Sequence, residues 1–230
     1  MERQFHSMFT SVVNYINVPP YLYRYENQEF IDDFFEKGDL LISSFTQYKK
    51  YQDNKLGDAS EGTTFNFGHT ENDKTVGTVT TVGQNSYCFC TSTIMNKNLF
   101  SVFKRNSVFR IKDPINFILQ IEKSLNRVVE VMFGNCIYLD RKMIIKNIPA
   151  VDLEKLKADD KTDNISFEKL MAATAPLNGP EQFFLKKIEH QEQCEYRILW
   201  HTDRPVNEPV IIKCPEAAKF CEKIDLDTLK

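Results

Sequence analysis

Residues 191–200 read QEQCEYRILW and hold the only tryptophan of the chain. The side chains of an extended strand alternate between its two faces. One face of this stretch then carries Tyr196, Ile198 and Trp200, and the other carries Glu195, Arg197 and Leu199. Because a glutamate is rarely buried without a partner, an acidic residue entering so apolar a strand predicts either a salt bridge or a functional site.

A polar pair stands where this strand begins. Gln193 and Glu195 are two residues apart, so a continuous strand places both side chains on one face. If the pair forms a functional site, one side chain would contact a sugar and the other would contact the attacking group. In the structural alternative, Glu195 pairs with Arg197 on its own strand or with Arg24 across the sheet.

The composition indicates one globular domain of ordinary size. The 230 residues are 42% hydrophobic, which is enough to bury a single core. A net charge of −3 provides no general attraction to nucleic acid. The cysteines and histidines lack the spacing of metal ligands, and we expect reduced thiols in a cytoplasmic protein. No apolar run is long enough to span a membrane, so we expect neither secretion nor a membrane partner.

The order of the predicted elements favours an α+β fold with mixed, mainly antiparallel sheets and flanking helices. The chain opens as strand, helix, strand, with YLYRY at 21–25, a helix between Asn27 and Gly38, and DLLISSF at 39–45. Further strands are predicted at 63–67, 75–82, 86–91, 107–111, 128–139 and 210–213, and further helices from Pro114, at 180–188 and at 215–223. We expect a single domain over residues 1–230, with a helical insertion at about 150–175.

Two positions in the opening strands carry polar groups that suit a ligand. The planar guanidinium of Arg24 matches a phosphate or a ribose, although its stem could simply pack over the neighbouring tyrosines or pair with a carboxylate. Ser43 and Ser44 end the second strand, where a hydroxyl could orient a catalytic carboxylate or merely cap the turn. Phe45 or Tyr48 would offer an aromatic face to a ligand ring.

Acidic residues in the polar loop at 46–62 suggest a different chemistry. Asp53, Asp58 and Glu61 are the candidates for the clustered metal ligands of a nuclease-type toxin. Their spacing lies in a loop and does not by itself fix a coordination geometry. Lys186 and Lys187 form a short basic pair, which is most often a solvated face.

Three motifs in chain order resemble the bacterial abortive-infection family of the AbiGi type. They are LYRY at 22–25, GDLLISSF at 38–45, and a segment at 184–197 in which Q-x-E-Y-R stands where that family has E-x-E-W-R. Such proteins in turn resemble the arginine–serine–glutamate branch of ADP-ribosyltransferases. The resemblance implies an ADP-ribosyltransferase-like fold and a phage-defence toxin that modifies a macromolecule.

The resemblance also implies a role for each matched residue. NAD would be the substrate that carries the ADP-ribose, with no metal. Carried over by motif, Arg24 binds NAD, Ser43 and Ser44 form the serine segment, Phe45 stacks on the ligand, Glu195 is catalytic and Gln193 orients the acceptor. The acceptor would be a protein or a nucleic acid, and an antitoxin would be a further partner. The serine segment lacks the family's middle threonine, which leaves the acceptor open.

Two other classes of function are compatible with the same residues. In the first, the chain is a catalytically inactive interaction module with the same fold, and Glu195 is held by an arginine. In the second, it is a metal-dependent nuclease toxin, which the acidic loop would serve.

Overall fold

A computed structural model of the chain describes residues 5–7, 18–50, 60–70, 75–148, 153–158 and 164–226. Within these ranges the predicted α+β class, with mainly antiparallel sheets and short helices, is confirmed. The strands are β1 (Phe5–Ser7), β2 (Leu22–Glu26), β3 (Asp39–Ser44), β4 (Thr63–Thr70), β5 (Thr75–Thr81), β6 (Ser86–Ser92), β7 (Ser107–Ile111), β8 (Val128–Asn135), β9 (Ile137–Leu139), β10 (Met143–Ile148), β11 (Leu185–Lys187), β12 (Glu195–Thr202), β13 (Val210–Lys213) and β14 (Cys221–Lys223). The helices are α1 (Gln28–Lys37), α2 (Asn98–Phe103), α3 (Pro114–Ser124), α4 (Leu153–Leu156), α5 (Phe167–Thr174) and α6 (Pro215–Ala218).

Strand β12 lies at the centre of the largest sheet. It pairs antiparallel with β6 on one side and with β8 on the other, and all eight of its residues are buried. The predicted alternation is confirmed, because Tyr196, Ile198 and Trp200 pack into the main hydrophobic core. Leu199, on the opposite face, joins a smaller cluster with Phe45. Both faces of the strand are therefore covered, and its charged residues need partners inside the protein.

Helix α1 connects β2 to β3 as the sequence predicts. Asn27 takes the N-cap position, and Gly38 ends the helix in the left-handed region with φ 77°. A Cβ atom at Gly38 would lie 2.6 Å from the backbone nitrogen of Pro215. The left-handed backbone and this close contact both require glycine at this position. Ile31 and Phe34 form the buried face of the helix. The helix thus returns the chain to the same edge of the sheet from which it left.

Strands β2 and β3 meet that edge at opposite ends of β6, and between them the sheet forks. Ser43 and Ser44 of β3 pair with Cys88 and Tyr87 near the start of β6, whereas β2 meets β6 at its end, at Ser92. Beyond these points β3 pairs with β13, and β2 pairs with β7 and through it with β14. We call these two branches the β3 arm and the β2 arm. The wedge between them opens along residues 89–91 of β6.

The segment before β12 differs from the prediction. Residues 180–188 were expected to be helical, but they form a 3₁₀ turn at Pro180–Phe183 and then strand β11, which pairs parallel with β9. A second 3₁₀ helix covers Ile188–Gln193, and Cys194 follows it in the left-handed region with φ 43° and ψ 48°. The buried residues Phe184 and Leu185 pack in extended backbone, so tertiary contacts override the local helix propensity.

The region of the predicted insertion is described in part. Helices α4 and α5 lie there, and the Ser166 hydroxyl caps α5 by accepting from the Lys169 backbone nitrogen at 3.4 Å. Residues 149–152 and 159–163 lie outside the described ranges, so an insertion within a single domain stays a prediction. Within the described ranges, no helix combines the length and apolar character needed to cross a bilayer.

Candidate functional site

A cavity of about 320 Å³ fills the wedge between the two arms. Its floor is residues 89–91 of β6, and four of the residues predicted from the sequence line it: Arg24, Ser43, Gln193 and Glu195. They arrive from β2, from β3 and from the start of β12, so the fork brings three distant segments of the chain to one concave surface. Concave sites that join an apolar wall to a few polar groups are the usual sites of small-molecule binding.

Two of the predicted ligand contacts are absent from the lining. Ser44 follows Ser43 on the same strand and therefore points to the opposite face, where its hydroxyl lies 3.3 Å from that of Thr46. Phe45 is fully buried and packs its ring against Phe183, with 5.9 Å between the ring centroids. Its place in the smaller core cluster leaves it no face for a ligand, so in this structure Phe45 supports the site from behind.

The Glu195 carboxylate is buried and fully engaged. One oxygen accepts a hydrogen bond from Arg197 Nε at 2.8 Å, and the other accepts one from the ammonium of Lys186. Burial alone would raise the pKa of Glu195, but the positive charges of Arg197 and Lys186, with hydrogen bonds from Lys186 and the Cys90 thiol, hold that pKa well below its usual range. The carboxylate is therefore ionised throughout the physiological pH range.

Lys186 joins the two residues of the Q-x-E motif. Its ammonium donates to Gln193 Oε1 at 2.7 Å as well as to Glu195. Gln193 does not belong to β12, because the left-handed backbone at Cys194 separates it from the strand. The pair converges through a shared cation and not through strand alternation, which corrects the expectation that both lie along one strand face.

Arg197 holds a second carboxylate. Its Nη1 donates to Glu61 Oε1 at 2.9 Å and to the Phe183 carbonyl at 2.5 Å, and the guanidinium lies 5.3 Å from the ring centre of Phe45. We call Glu61, Lys186, Glu195 and Arg197 the inner cluster. Its two cations and two anions balance, and each side chain is no more than 8% exposed.

A second group of charges lies at the other side of the cavity. Arg24 Nη2 binds Glu26 Oε2 at 3.0 Å, and Arg105 Nε binds Glu26 Oε1 at 2.8 Å. All three residues line the cavity, and their side chains are 14–33% exposed. We call Arg24, Glu26 and Arg105 the outer cluster. Arg24 also donates to the Cys90 carbonyl at 2.7 Å and so occupies part of the open edge of β6.

Aromatic residues complete the wall. Seven line the cavity: Tyr23, Tyr25, Phe30, Tyr48, Phe89, Phe103 and Phe109. The Arg24 guanidinium lies 4.7 Å from the ring centre of Phe89, a cation–π arrangement that fixes its plane. Burial raises the pKa of Tyr48, whose hydroxyl bonds the Cys90 thiol, so Tyr48 stays protonated. The wall is thus suited to a flat, polar ligand with a ring.

Residues 51–59 of the acidic loop, which include Asp53 and Asp58, lie outside the described residues. Glu61 is 2% exposed, and its carboxylate binds Arg197. Among the described residues, no group of three or more histidine, cysteine, aspartate or glutamate side chains has the arrangement of a metal site.

Several residues of the site gave little sign of their role in the sequence. Lys186 belongs to a basic pair, and the expected solvated face holds for Lys187, which is 47% exposed, but not for Lys186 at 8%. The sequence did not distinguish the two lysines, because strand β11, which sends consecutive residues to opposite sides, was predicted to be part of a helix. Arg105 follows a helix that the sequence did not predict.

The chain was also compared with known proteins. Comparisons with protein-family models, with curated proteins and with solved structures find no match.

Proposed function

We propose that this protein is an ADP-ribosyltransferase-like enzyme that binds NAD in the cavity and transfers ADP-ribose to a protein or nucleic-acid acceptor. One observation carries the proposal: Arg24, Ser43 and Glu195, from three separate segments, line the same cavity. Those are the positions at which the motifs match the arginine–serine–glutamate pattern. A cleft between two arms of a forked sheet supports the same fold assignment.

The lining supports a nucleotide as the ligand. Four of the aromatic residues, Tyr23, Phe30, Tyr48 and Phe103, are at least partly exposed and provide surfaces for rings. Arg24 and Arg105 provide planar donors for phosphate oxygens. The volume, about 320 Å³, lies at the lower end of the range of about 300–1,000 Å³ found for small-molecule sites. The cavity therefore suits part of a dinucleotide, with the acceptor entering from the open side.

The inner cluster supports the chemistry of transfer. Breaking the bond between nicotinamide and ribose leaves positive charge on the ribose, and a preorganised carboxylate stabilises such charge. Glu195 lines the cavity and stays ionised because Arg197 and Lys186 hold its pKa down. Gln193 is fixed beside it through Lys186, where its amide would orient the incoming group of the acceptor.

The direct test measures NAD turnover and labelling of lysate by NAD that carries a tagged adenine. We expect the wild type to be active in EDTA, and Glu195→Gln to lower turnover by about 10²–10³-fold, the loss typical of removing one preorganised electrostatic group. Glu222→Gln is the matched control, because Glu222 pairs with Arg110 outside the cavity. If the wild type neither binds nor consumes NAD with lysate present, the proposal fails. Activity that requires magnesium would favour the nuclease.

A second candidate is an interaction module that binds the nucleotide without turnover. The observation that favours it is the full engagement of Glu195, whose two oxygens are held by Arg197 and Lys186. Calorimetric binding of NAD without loss of nicotinamide, in the presence of lysate, would support this module over the transferase.

The biological setting is part of the same proposal. All six cysteines are free thiols, which accords with a cytoplasmic location where NAD is available. As a phage-defence toxin, the wild type should slow the growth of a bacterial host on expression, and Glu195→Gln should relieve this effect. If the wild type and Glu195→Gln were equally toxic, the growth inhibition would not depend on ADP-ribose transfer.

A further inference from the structure

We propose that Arg24 and Arg105 form a clamp for the pyrophosphate of the nucleotide, and that the Glu26 carboxylate occupies this clamp when no ligand is bound. The identity of the ligand rests on the proposed function. The clamp itself is argued from the outer cluster and adds Arg105, a residue outside the matched motifs, to the binding site.

Glu26 is held in the way that proteins hold an anion. Each of its carboxylate oxygens faces a different arginine, Arg24 at 3.0 Å and Arg105 at 2.8 Å. The backbone nitrogen of Asn27 donates to the same carboxylate at 3.2 Å, at the beginning of helix α1. Two guanidinium groups and a helix-start amide are the donors that commonly bind phosphate.

The charges of the outer cluster do not balance. Two arginines share one carboxylate, which leaves one positive charge in excess at the cavity wall. The other carboxylates that line this side have their own cations, since Asp33 binds Lys37 at 2.6 Å and Asp39 lies 3.3 Å from Lys213. A ligand with two negative charges would neutralise the arginines more completely than Glu26 does.

Arg105 is fixed at its backbone. Lys104 ends helix α2 in the left-handed region with φ 52°, and the Arg105 nitrogen donates to the Phe100 carbonyl at 2.9 Å, closing the end of that helix. The next residue, Asn106, accepts from the Gln28 backbone nitrogen at 2.8 Å and ties this turn to α1. The backbone of Arg105 is thus anchored, and an exchange of partners would require movement of its partly exposed side chain alone.

Glu26 lies two residues from Arg24 on the same strand and can leave the clamp without moving the backbone. A bound pyrophosphate would take over both guanidinium groups and send the Glu26 carboxylate to solvent, which is accessible because its side chain is 14% exposed. Glu26 then acts as a built-in competitor. It disfavours weakly charged ligands and admits those that carry two adjacent phosphates.

The experiment measures binding of NAD, ADP-ribose, inorganic pyrophosphate and nicotinamide riboside by calorimetry. We expect Arg105→Gln to weaken the three pyrophosphate ligands by about tenfold, the scale of one charge-assisted hydrogen bond. Binding of nicotinamide riboside, which lacks phosphate, should not change. Glu26→Gln should tighten the pyrophosphate ligands several-fold, because the competitor loses its charge. Arg110→Gln is the control, since Arg110 is 32% exposed, pairs with Glu222 and does not line the cavity.

The outcomes separate this inference from the proposed function. If NAD binds but Arg105→Gln and Glu26→Gln leave its affinity unchanged, the clamp is wrong and the transferase proposal stands. If pyrophosphate binds in an Arg105-dependent manner while NAD does not bind, the clamp stands and the assignment of NAD fails. Equal weakening of nicotinamide riboside would show that Arg105 supports the fold of the cavity, which also overturns the clamp. Thermal unfolding of each variant confirms that a folded protein is being compared.

Discussion

The outer cluster and three residues of the inner cluster, Lys186, Glu195 and Arg197, line the same cavity, yet the two clusters differ in two respects. The inner cluster is closed to water and electrically balanced, with two carboxylates facing two cations. The outer cluster is partly exposed and carries one cation too many. Burial makes an ion pair hard to exchange, because a separated charge would stay in a medium of low polarity. Exposure lowers the free-energy cost of exchanging a partner, because water replaces the partner that is lost.

The two clusters have different roles, because one supports the site and the other can receive a ligand. The inner cluster fixes the position and the ionisation of Glu195, whereas the outer cluster holds Glu26 in a place that another anion can take. Lining the cavity therefore does not by itself distinguish a supporting charge from one that can exchange its partner for a ligand. Exposure and charge balance together distinguish a support from a binding group, and each can be tested by substitution.

The largest effect is expected from removing the shared cation of the inner cluster. Arg197→Met would leave Glu61 and Glu195 buried with Lys186 alone, and should lower the free energy of unfolding by about 3–5 kcal/mol, as is typical when a buried pair is broken. Urea denaturation measures this change, with Arg110→Met as the exposed control. A loss below about 1 kcal/mol would mean that the inner cluster is not closed to water.

A smaller loss is expected at Lys186. In Lys186→Met, Glu195 keeps Arg197 but loses one hydrogen bond, and Gln193 also loses the hydrogen bond from Lys186, so stability should fall by about 1–3 kcal/mol, the cost of unmade hydrogen bonds at buried polar groups. The same denaturation series measures it, and Lys187→Met, at an exposed neighbouring position, serves as control. If Lys186→Met and Lys187→Met were equally stable, the bridge that Lys186 forms between Gln193 and Glu195 would not contribute to the free energy of unfolding.

Acid should weaken the inner cluster in a defined pH range. The folded pKa of Glu195 is lowered, so its contribution is complete above the unfolded value of about 4.3 and declines as pH falls toward the folded value, by at most about 1.4 kcal/mol per pH unit. The difference in stability between wild type and Glu195→Gln should therefore narrow below pH 4.3. Burial lowers the pKa of His201 to about 4. Its protonation therefore lowers the stability of both proteins between pH 6.5 and 4, before Glu195 begins to titrate. A constant difference below pH 4.3 would contradict the lowered pKa.

The smallest effect on stability is expected in the outer cluster. Arg105→Gln removes one partly exposed partner of Glu26 while Arg24 remains, so the change should stay within about 0.5 kcal/mol. The variant is compared with Lys186→Met under identical conditions. A loss as large as that of Lys186→Met would place Arg105 among the structural charges and erase the difference between the clusters.

The sequence predicted the strands and helices that local patterns specify. The alternation in β12, the end of α1 at Gly38 and the start of α3 at Pro114 all depend on neighbouring residues, and all are confirmed. The sequence could not show that β6 would be shared by two arms, because that requires the register between distant strands. The positions of the two arms on β6 determine which of the predicted residues line the same cavity.

The sequence likewise predicted only part of the site. Arg24, Ser43, Gln193 and Glu195 line the cavity, and the sequence marked each of them as a polar residue within or just before a predicted strand. Their partners Lys186, Glu61 and Arg105 were not predictable, since each comes from a segment whose position depends on tertiary packing. The sequence offered Arg197 as a structural partner of Glu195, and the structure confirms that contact.

The fork has a consequence for how the protein unfolds. Among the described strands, the β3 arm and the β2 arm pair with a common strand only at β6, so we expect part of their hydrogen exchange to occur through openings of each arm alone. Anything bound in the wedge touches Ser43 on one arm and Arg24 on the other. It would therefore make the two arms open together, and hydrogen exchange would slow in β13 and β7 alike although neither strand lies next to the other.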